Sequence, residues 1–206
     1  MSSIAYVRQY KVNAGLAQVQ DFYYPSMKKY SEPYQVQTSQ IKVFVPVLEN
    51  GTLTLWHFNG QKKMIGSYRN GKPNGEWINW YPNGKKSAVM PYLNGLSNGV
   101  GARYYRNGNK ESEIQFKNDK ANGYWKQWYA DGNLKTEMRM VNDQPVEMLS
   151  WDESGRLLTE MSFRNGRRNG IVLDWYEDGS KKSEAVYQND QLVKKTLWDQ
   201  DGFEIE

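Results

Sequence analysis

The chain has 206 residues, with 8 Trp, 15 Tyr and 6 Phe but no cysteine, which excludes disulfides and thiolate metal sites and leaves the redox compartment open. Its formal net charge of +4 is the balance of two unlike halves: residues 1–110 carry 14 Lys/Arg against 4 Asp/Glu, and residues 111–206 carry 13 against 19. No apolar run approaches the roughly 20 residues of a membrane-spanning helix, and the opening MSSIAYVRQY lacks the basic-then-apolar pattern of a signal peptide; the expected place is the cytoplasm, or the periplasm or envelope if a leader was removed.

The first quarter reads as a worn copy of a unit that becomes regular later. Val12-Asn13-Ala14-Gly15 has turn residues, and Phe22-Tyr23-Tyr24-Pro25-Ser26-Met27-Lys28-Lys29 echoes Trp80-Tyr81-Pro82-Asn83-Gly84-Lys85-Lys86 with methionine in the glycine position. Met27 to Gly60 is 33 residues, which predicts an insertion of about nine within 31–47, as a protruding loop, an extra strand or a cap on the end of a sheet.

From residue 56 onward the period is strict. Gly60, Gly84, Gly108, Gly132, Gly155, Gly179 and Gly202 follow one another at 24, 24, 24, 23, 24 and 23 residues, each four residues after Trp56, Trp80, Tyr104, Trp128, Trp151, Trp175 or Trp198. Each unit holds two turn signals. Asn70-Gly71-Lys72-Pro73-Asn74-Gly75 is rich in residues that tolerate positive φ, and Pro82-Asn83-Gly84 fits a three-residue hairpin loop closed by a left-handed glycine. A second turn glycine recurs at Gly75, Gly99, Gly123 and Gly170, but Glu147 and Lys194 replace it, so those turns should differ in shape.

The fold class that follows is all-β: an elongated antiparallel meander of tandem 23–24-residue β-hairpin repeats, twisted or curled. It should form a single repeat domain over 1–206, with degenerate repeats over 1–55 and regular ones over 56–206. About 14–16 strands would extend roughly 70–75 Å along the repeat axis. In the three-residue register Tyr81 pairs with Lys85 and Trp80 with Lys86. That pairing predicts an inner face of Ile78, Trp80, Ala88, Met90 and Tyr92, matched later by Trp128 with Met138 and Met140. The outer face would collect Tyr81, Tyr105, Tyr129 and Tyr176, with Asp152 and Asp199 in the same row, and a glutamate row at Glu113, Glu137, Glu160 and Glu184.

Chemistry-bearing constellations are sparse. His57 is the one histidine, in a tyrosine-row position, so a Ser-His-Asp arrangement or a His/Cys metal site has little to draw on. The glutamates recur because the unit recurs, as a solvated face does. No phosphate-binding loop or HExxH pattern occurs. The expectation is therefore no catalytic residue, no metal, no cofactor and no small-molecule substrate. Lysines after the turn glycine (Lys62, Lys86, Lys110, Lys181) would line one sheet edge, which suits anionic lipid or an acidic protein; an acidic C-terminal half argues against nucleic acid. Trp77 and Trp125 with Tyr81, Tyr105, Tyr129 and Tyr176 form an aromatic strip expected on the polar face, as candidate partner-binding residues.

The units YRNGKPNGEWINWYPNGKK, FKNDKANGYWKQWYADGNLK and FRNGRRNGIVLDWYEDGSKK closely resemble the bacterial variant of the MORN repeat, well over 56–206 and loosely over 5–55. The resemblance implies a hairpin-repeat sheet without catalytic residues, and no active-site residue carries over. Proteins of this family are commonly described as antitoxin- or immunity-type partners of other proteins, and MORN repeats elsewhere are linked to membranes or phospholipid. The leading expectation is a non-enzymatic protein-binding repeat that neutralises a toxin or effector. A membrane-surface or envelope scaffold and a cell-wall glycan-binding module are the alternatives.

Overall fold

A computed structural model describes residues 6–43 and 47–205. The protein is an antiparallel β meander with repeats of about 23 residues and no α-helix among the described residues. Contacts group the chain into two compact units, one of residues 1–99 and 106–108, the other of residues 100–105 and 109–206.

The first unit opens with a four-stranded sheet. Strand β2 (Leu16–Tyr23) is flanked on one side by β1 (Tyr6–Asn13), and on the other by β3 (Lys28–Lys29) and β4 (Tyr34–Gln37). The turn between β1 and β2 puts Ala14 and Gly15 at φ 48° and 80°, the pair of positive values that matches the twist of a tight hairpin. Met27 sits at φ 54°, so it does take the left-handed place that glycine holds in later copies. The inserted segment adds strand β4 and a 3-10 turn at Thr38–Gln40; its residues 44–46 lie outside the described residues. Tyr34 and Val36 from β4 join Ala17, Val19, Tyr23, Tyr30, Leu48, Leu53, Leu55 and Tyr68 in the largest buried cluster. The insertion thus acts as a cap with its own core, where a regular hairpin would bury little on its far side.

The meander of this unit continues through β5 (Asn50–Trp56), β6 (Lys62–Arg69), β7 (Lys72–Pro73), β8 (Gly75–Trp80), β9 (Lys86–Leu93) and β10 (Leu96–Ser97). Strand β11 (Gly99–Tyr104) lies in the second unit but for Gly99, and is followed there by β12 (Lys110–Lys117), β13 (Lys120–Trp128), β14 (Leu134–Val141) and β15 (Gln144–Trp151). It ends with β16 (Leu157–Arg164), β17 (Arg167–Trp175), β18 (Lys181–Gln188), β19 (Gln191–Trp198) and β20 (Glu204–Ile205), paired in chain order.

Two kinds of turn alternate, one on each edge. On one edge the loop has three residues: the Tyr81 N–H bonds the Lys85 carbonyl at 2.8 Å, the Gly84 N–H bonds the Tyr81 carbonyl at 2.9 Å, and Gly84 sits at φ 83°. The asparagine before the glycine locks this turn, its Oδ1 accepting the Lys85 N–H at 3.1 Å; Asn59, Asp131 and Asp178 do the same in their copies. On the other edge the loop has two residues, both at positive φ, as at Asn118-Asp119 (51° and 65°) and Asn142-Asp143 (49° and 66°). Asparagine and aspartate fill it because they tolerate the left-handed region better than any residue but glycine.

The second turn glycine is a bulge. Ile114 pairs with Trp125 and Phe116 with Ala121, so Gln115 alone faces Asn122, Gly123 and Tyr124. Where Glu147 and Lys194 replace the glycine the shape does differ. Arg139 pairs with Glu147 and Met140 with Pro145, leaving only Val146 extra; Val186 pairs with Lys194 and Tyr187 with Leu192, leaving only Val193 extra. Both 23-residue intervals of the glycine ruler span these two turns. The missing residue of the period is the missing residue of the bulge.

The predicted faces need one correction. Trp80 pairs with Lys86 as expected, but Asn79 pairs with Ala88, so Ser87 is an extra, bulged residue next to the turn. The same step recurs at Lys63, Lys135, Leu158 and Lys182. It swaps the faces of the two strands' partners. The row that meets Met90, Ala88 and Tyr92 is Trp77 and Asn79, and in the second unit Trp125 and Gln127 meet Met138 and Thr136. Ile78 and Trp80 lie on the opposite face, as does Trp128. Trp77 is accordingly packed edge-to-face against Tyr68 and Tyr92, with ring centroids 5.1 and 6.1 Å away, and lies so close to Gly66 that a Cβ there would stand 2.2 Å from the indole.

Candidate partner-binding surface

The tyrosine row is built into the repeat joints. Tyr23 Oη donates to the Trp56 carbonyl at 2.8 Å, Tyr105 to Trp128 at 2.8 Å, Tyr129 to Trp151 at 2.9 Å and Tyr176 to Trp198 at 2.9 Å. Each phenol therefore closes the joint to the aromatic residue one repeat further on. His57 takes the same place, Nε2 donating to the Trp80 carbonyl at 2.8 Å, which requires the tautomer protonated on Nε2. Tyr81 and Tyr176 also lie under cations, Arg106 at 5.8 Å and Lys182 at 5.4 Å. Where the row carries aspartate, the carboxylate turns back on its own loop: Asp152 accepts the Ser154 and Arg156 N–H groups, and Asp199 accepts that of Phe203. The Arg156 N–H, its guanidinium and Ser154 together hold the Asp152 carboxyl down to about 2.

Asparagines stitch the three-residue turns to one another. Asn59 Nδ2 donates to the Pro82 carbonyl, Asn83 to Arg106, Asn109 to Ala130 and Asn133 to Glu153, at 2.6 to 2.9 Å. On the opposite edge Asn50 and Asn74 accept the Asn70 and Asn94 N–H groups, and Asp143 and Asp190 accept those of Ala121 and Arg168. Asn59 and Asn83 are thus occupied twice, by their own loop and by the next.

Most predicted outer residues of the second unit are paired within the sheet. Glu113, Lys126 and Glu137 are cross-strand neighbours; Lys110 bonds Glu113 at 2.5 Å and Lys126 bonds Glu137 at 2.6 Å, while Lys181 bonds Glu184. Lys110 and Lys181 also cover the rings of Trp128 and Trp198 at 5.1 and 4.7 Å. Within the aromatic ladder from Trp56 to Trp198, the rings of Trp56, Trp128 and Trp198 serve as platforms for ammonium groups. Trp77 and Trp125, expected on the polar face, belong to the methionine face; the Trp125 indole N–H is buried without an acceptor.

The two units differ at the three-residue turns. In the first, Lys28-Lys29, Lys62-Lys63 and Lys85-Lys86 follow the turns of successive hairpins, Lys62 standing where Lys86 stands one repeat on, and among the described residues Lys29 has an ion pair, with Glu32 at 2.8 Å. In the second, the same turns carry Asp131, Asp152, Glu153, Glu177, Asp178, Asp199 and Asp201. Counted by unit, Lys/Arg against Asp/Glu is 12 to 4 in the first and 15 to 19 in the second.

Beside the first basic turns lies a surface pocket of about 310 Å³ walled by Trp56, His57 and Phe58, with Lys28 and Lys29 at its rim. Among the described residues no three His, Asp or Glu side chains gather as a metal-binding group, and no helix is long and apolar enough to cross a membrane.

A comparison with curated proteins finds no match. Residues 73–94, 98–118, 121–142 and 168–189 match the family model of the MORN repeat variant. Repeats of that family are non-catalytic and generally bind proteins or membranes, and four hairpin units of this chain are similar to them.

Proposed function

We propose that this chain is a non-enzymatic protein-binding repeat, an antitoxin or immunity protein that holds a cognate toxin or effector encoded beside it. What supports this reading is the contrast in satisfaction between scaffold and surface. Tyrosine hydroxyls and turn asparagines are spent on joints between repeats, whereas Lys28, Lys62 and Lys86 of the first unit and the large apolar side chains of Tyr24, Met27 and Phe58 are exposed. Large exposed apolar groups ringed by charge on a rigid sheet are the composition of an interface anchor. Co-expression with the product of the adjacent gene, followed by affinity capture and a growth assay, tests it. The expected result is a stoichiometric complex and relief of toxicity; a neighbour that neither binds nor harms growth overturns it.

The same basic edge with exposed Tyr24, Met27 and Phe58 favours a second reading, attachment to an anionic membrane surface. Sedimentation with phosphatidylglycerol vesicles at low and high salt separates the two. Salt-sensitive vesicle binding supports the membrane reading, and its absence removes it.

A further inference from the structure

We propose that the pocket beside the first basic turns receives an aromatic or large aliphatic side chain from an extended, acidic segment of a protein partner. This rests on the protein-binding reading above and names the patch and the chemistry that would carry it.

The pocket forms where the worn first hairpin meets the first regular one. Phe58, at the tip of the turn after β5, is 51 % exposed on one side while its other side meets Tyr23 edge-to-face at 5.3 Å. Trp56 also lines the pocket, and its indole N–H is buried with no acceptor among the described residues. At about 310 Å³ the space lies at the small end of ligand clefts, suited to one side chain and short of a cofactor. Gly60 closes the turn with nothing within 4 Å of where a Cβ would stand, so the mouth is open.

Charge selects the occupant's flanks. Lys28 Nζ stands 4.3 Å from the Phe58 ring centroid and Lys29 Nζ 4.2 Å from that of Trp56. The rings hold both ammonium groups at the rim, where carboxylates on either side of an inserted side chain would meet them. Lys62 and Lys86, exposed on the next two hairpins, continue the basic track, and among the described residues the ion pairs of this unit draw on Arg8 and Lys29.

Other polyanions fit less well. A nucleic-acid strand stacks successive bases along a run of ring faces, and this notch of about 310 Å³ has room for one side chain. A lipid headgroup layer would use the lysines but gives no reason for a walled notch of side-chain size.

The probe is a fluorescein-labelled peptide of alternating glutamate and glycine with one central phenylalanine, titrated with the full chain and read by fluorescence anisotropy. Binding should be saturable and weakened by salt. Exchanging the peptide's phenylalanine for serine should weaken it at least about tenfold, as should Phe58→Ser or the pair Lys28→Gln and Lys29→Gln in the protein. The exposed pair Lys194→Gln and Lys195→Gln should leave it unchanged. Circular dichroism melts confirm that the variants fold, and the lysine pair keeps the test open if Phe58→Ser does not.

No binding, equal binding of the serine peptide, or unaltered binding by the lysine-pair variant overturns the proposal. Tighter salt-sensitive binding to phosphatidylglycerol vesicles or to an oligothymidine strand, with loss of the peptide on competition, also overturns it. A chain that captures its genetic neighbour equally well with and without the pocket substitutions would sink this inference alone. A chain that captures no protein but binds the peptide would sink the functional reading instead.

Discussion

The two units are built from the same hairpin and stabilised differently. In the first, an inserted strand and a worn turn surround a contiguous buried core that runs from Ala17 and Val19 to Leu55 and Tyr68, with Asp21 held by Arg8 at 2.6 and 2.9 Å and by Tyr34 at 2.7 Å. Burial and its neighbours Tyr6 and Tyr23 push the Tyr30 phenol there up to about 12. In the second, buried side chains are few, among them Met140, Val172 and Ala185, and order comes from joints that repeat: phenol to carbonyl, asparagine to turn, lysine over indole. A repeat sheet with one exposed face cannot gather a thick core, so it relies on many small, equivalent links, and only its capped end departs from that economy.

The largest expected effect lies in the cap. Asp21→Ala leaves the Arg8 guanidinium, with only 17 % of its side chain exposed, without its carboxylate, and should cost about 3–5 kcal/mol in urea unfolding. A loss no greater than that of a surface substitution would erase the distinction between the units.

Next is the indole pair of one strand. Trp77→Ala should cost about 3 kcal/mol by removing a ring packed among Tyr68, Tyr92 and Gly66, and Trp80→Ala should cost about 1 kcal/mol. The reverse order in thermal or urea unfolding would mean that the bulge at Ser87 does not exist in solution.

That pair also shows what the sequence discloses. The glycine ruler, the turn residues, the three-residue loop and a change of turn shape at Glu147 and Lys194 are all legible, because positive φ restricts the residue type and so leaves a trace. The bulge beside the turn leaves no such trace: lysine, serine and leucine all stand there, at Lys63, Ser87, Lys135, Leu158 and Lys182, and one uncounted residue sends Trp80 to the wrong face. The column Leu53, Trp77, Trp125, Met148 and Val172, apolar in each of these copies, was the available signal. The tyrosine row is similar. Its recurrence is plain, but a phenol that reaches a carbonyl 22 or 23 residues away looks in sequence like an exposed aromatic.

In the second unit, Tyr129→Phe removes only the hydrogen bond to the Trp151 carbonyl and should cost about 1 kcal/mol, with faster amide exchange in the hairpin that follows. No change would show that the joints contribute no order, and the contrast with the cap would lose its basis.

The smallest effect concerns acid. The Asp152 carboxyl is depressed from 3.8 to about 2, so whatever stability it lends is present above pH 4 and fades as the pH falls towards 2. Carbon-detected NMR titration should find it among the last carboxylates to protonate, and Arg156→Ala should raise its midpoint. A midpoint near that of an ordinary aspartate would show that this loop is not closed on itself.

The asparagine and tyrosine joints connect each hairpin only to the one beside it, so the second unit has no central element whose loss brings down the rest. Opening should begin at Gln191–Trp198, whose first five residues are exposed, and travel inward as a graded series of hydrogen-exchange rates. A partner that grips several consecutive turns would raise protection beyond its own footprint, because clamping one joint removes the frayed states of all those outside it. The array would then report occupancy at one end as stiffness along its length.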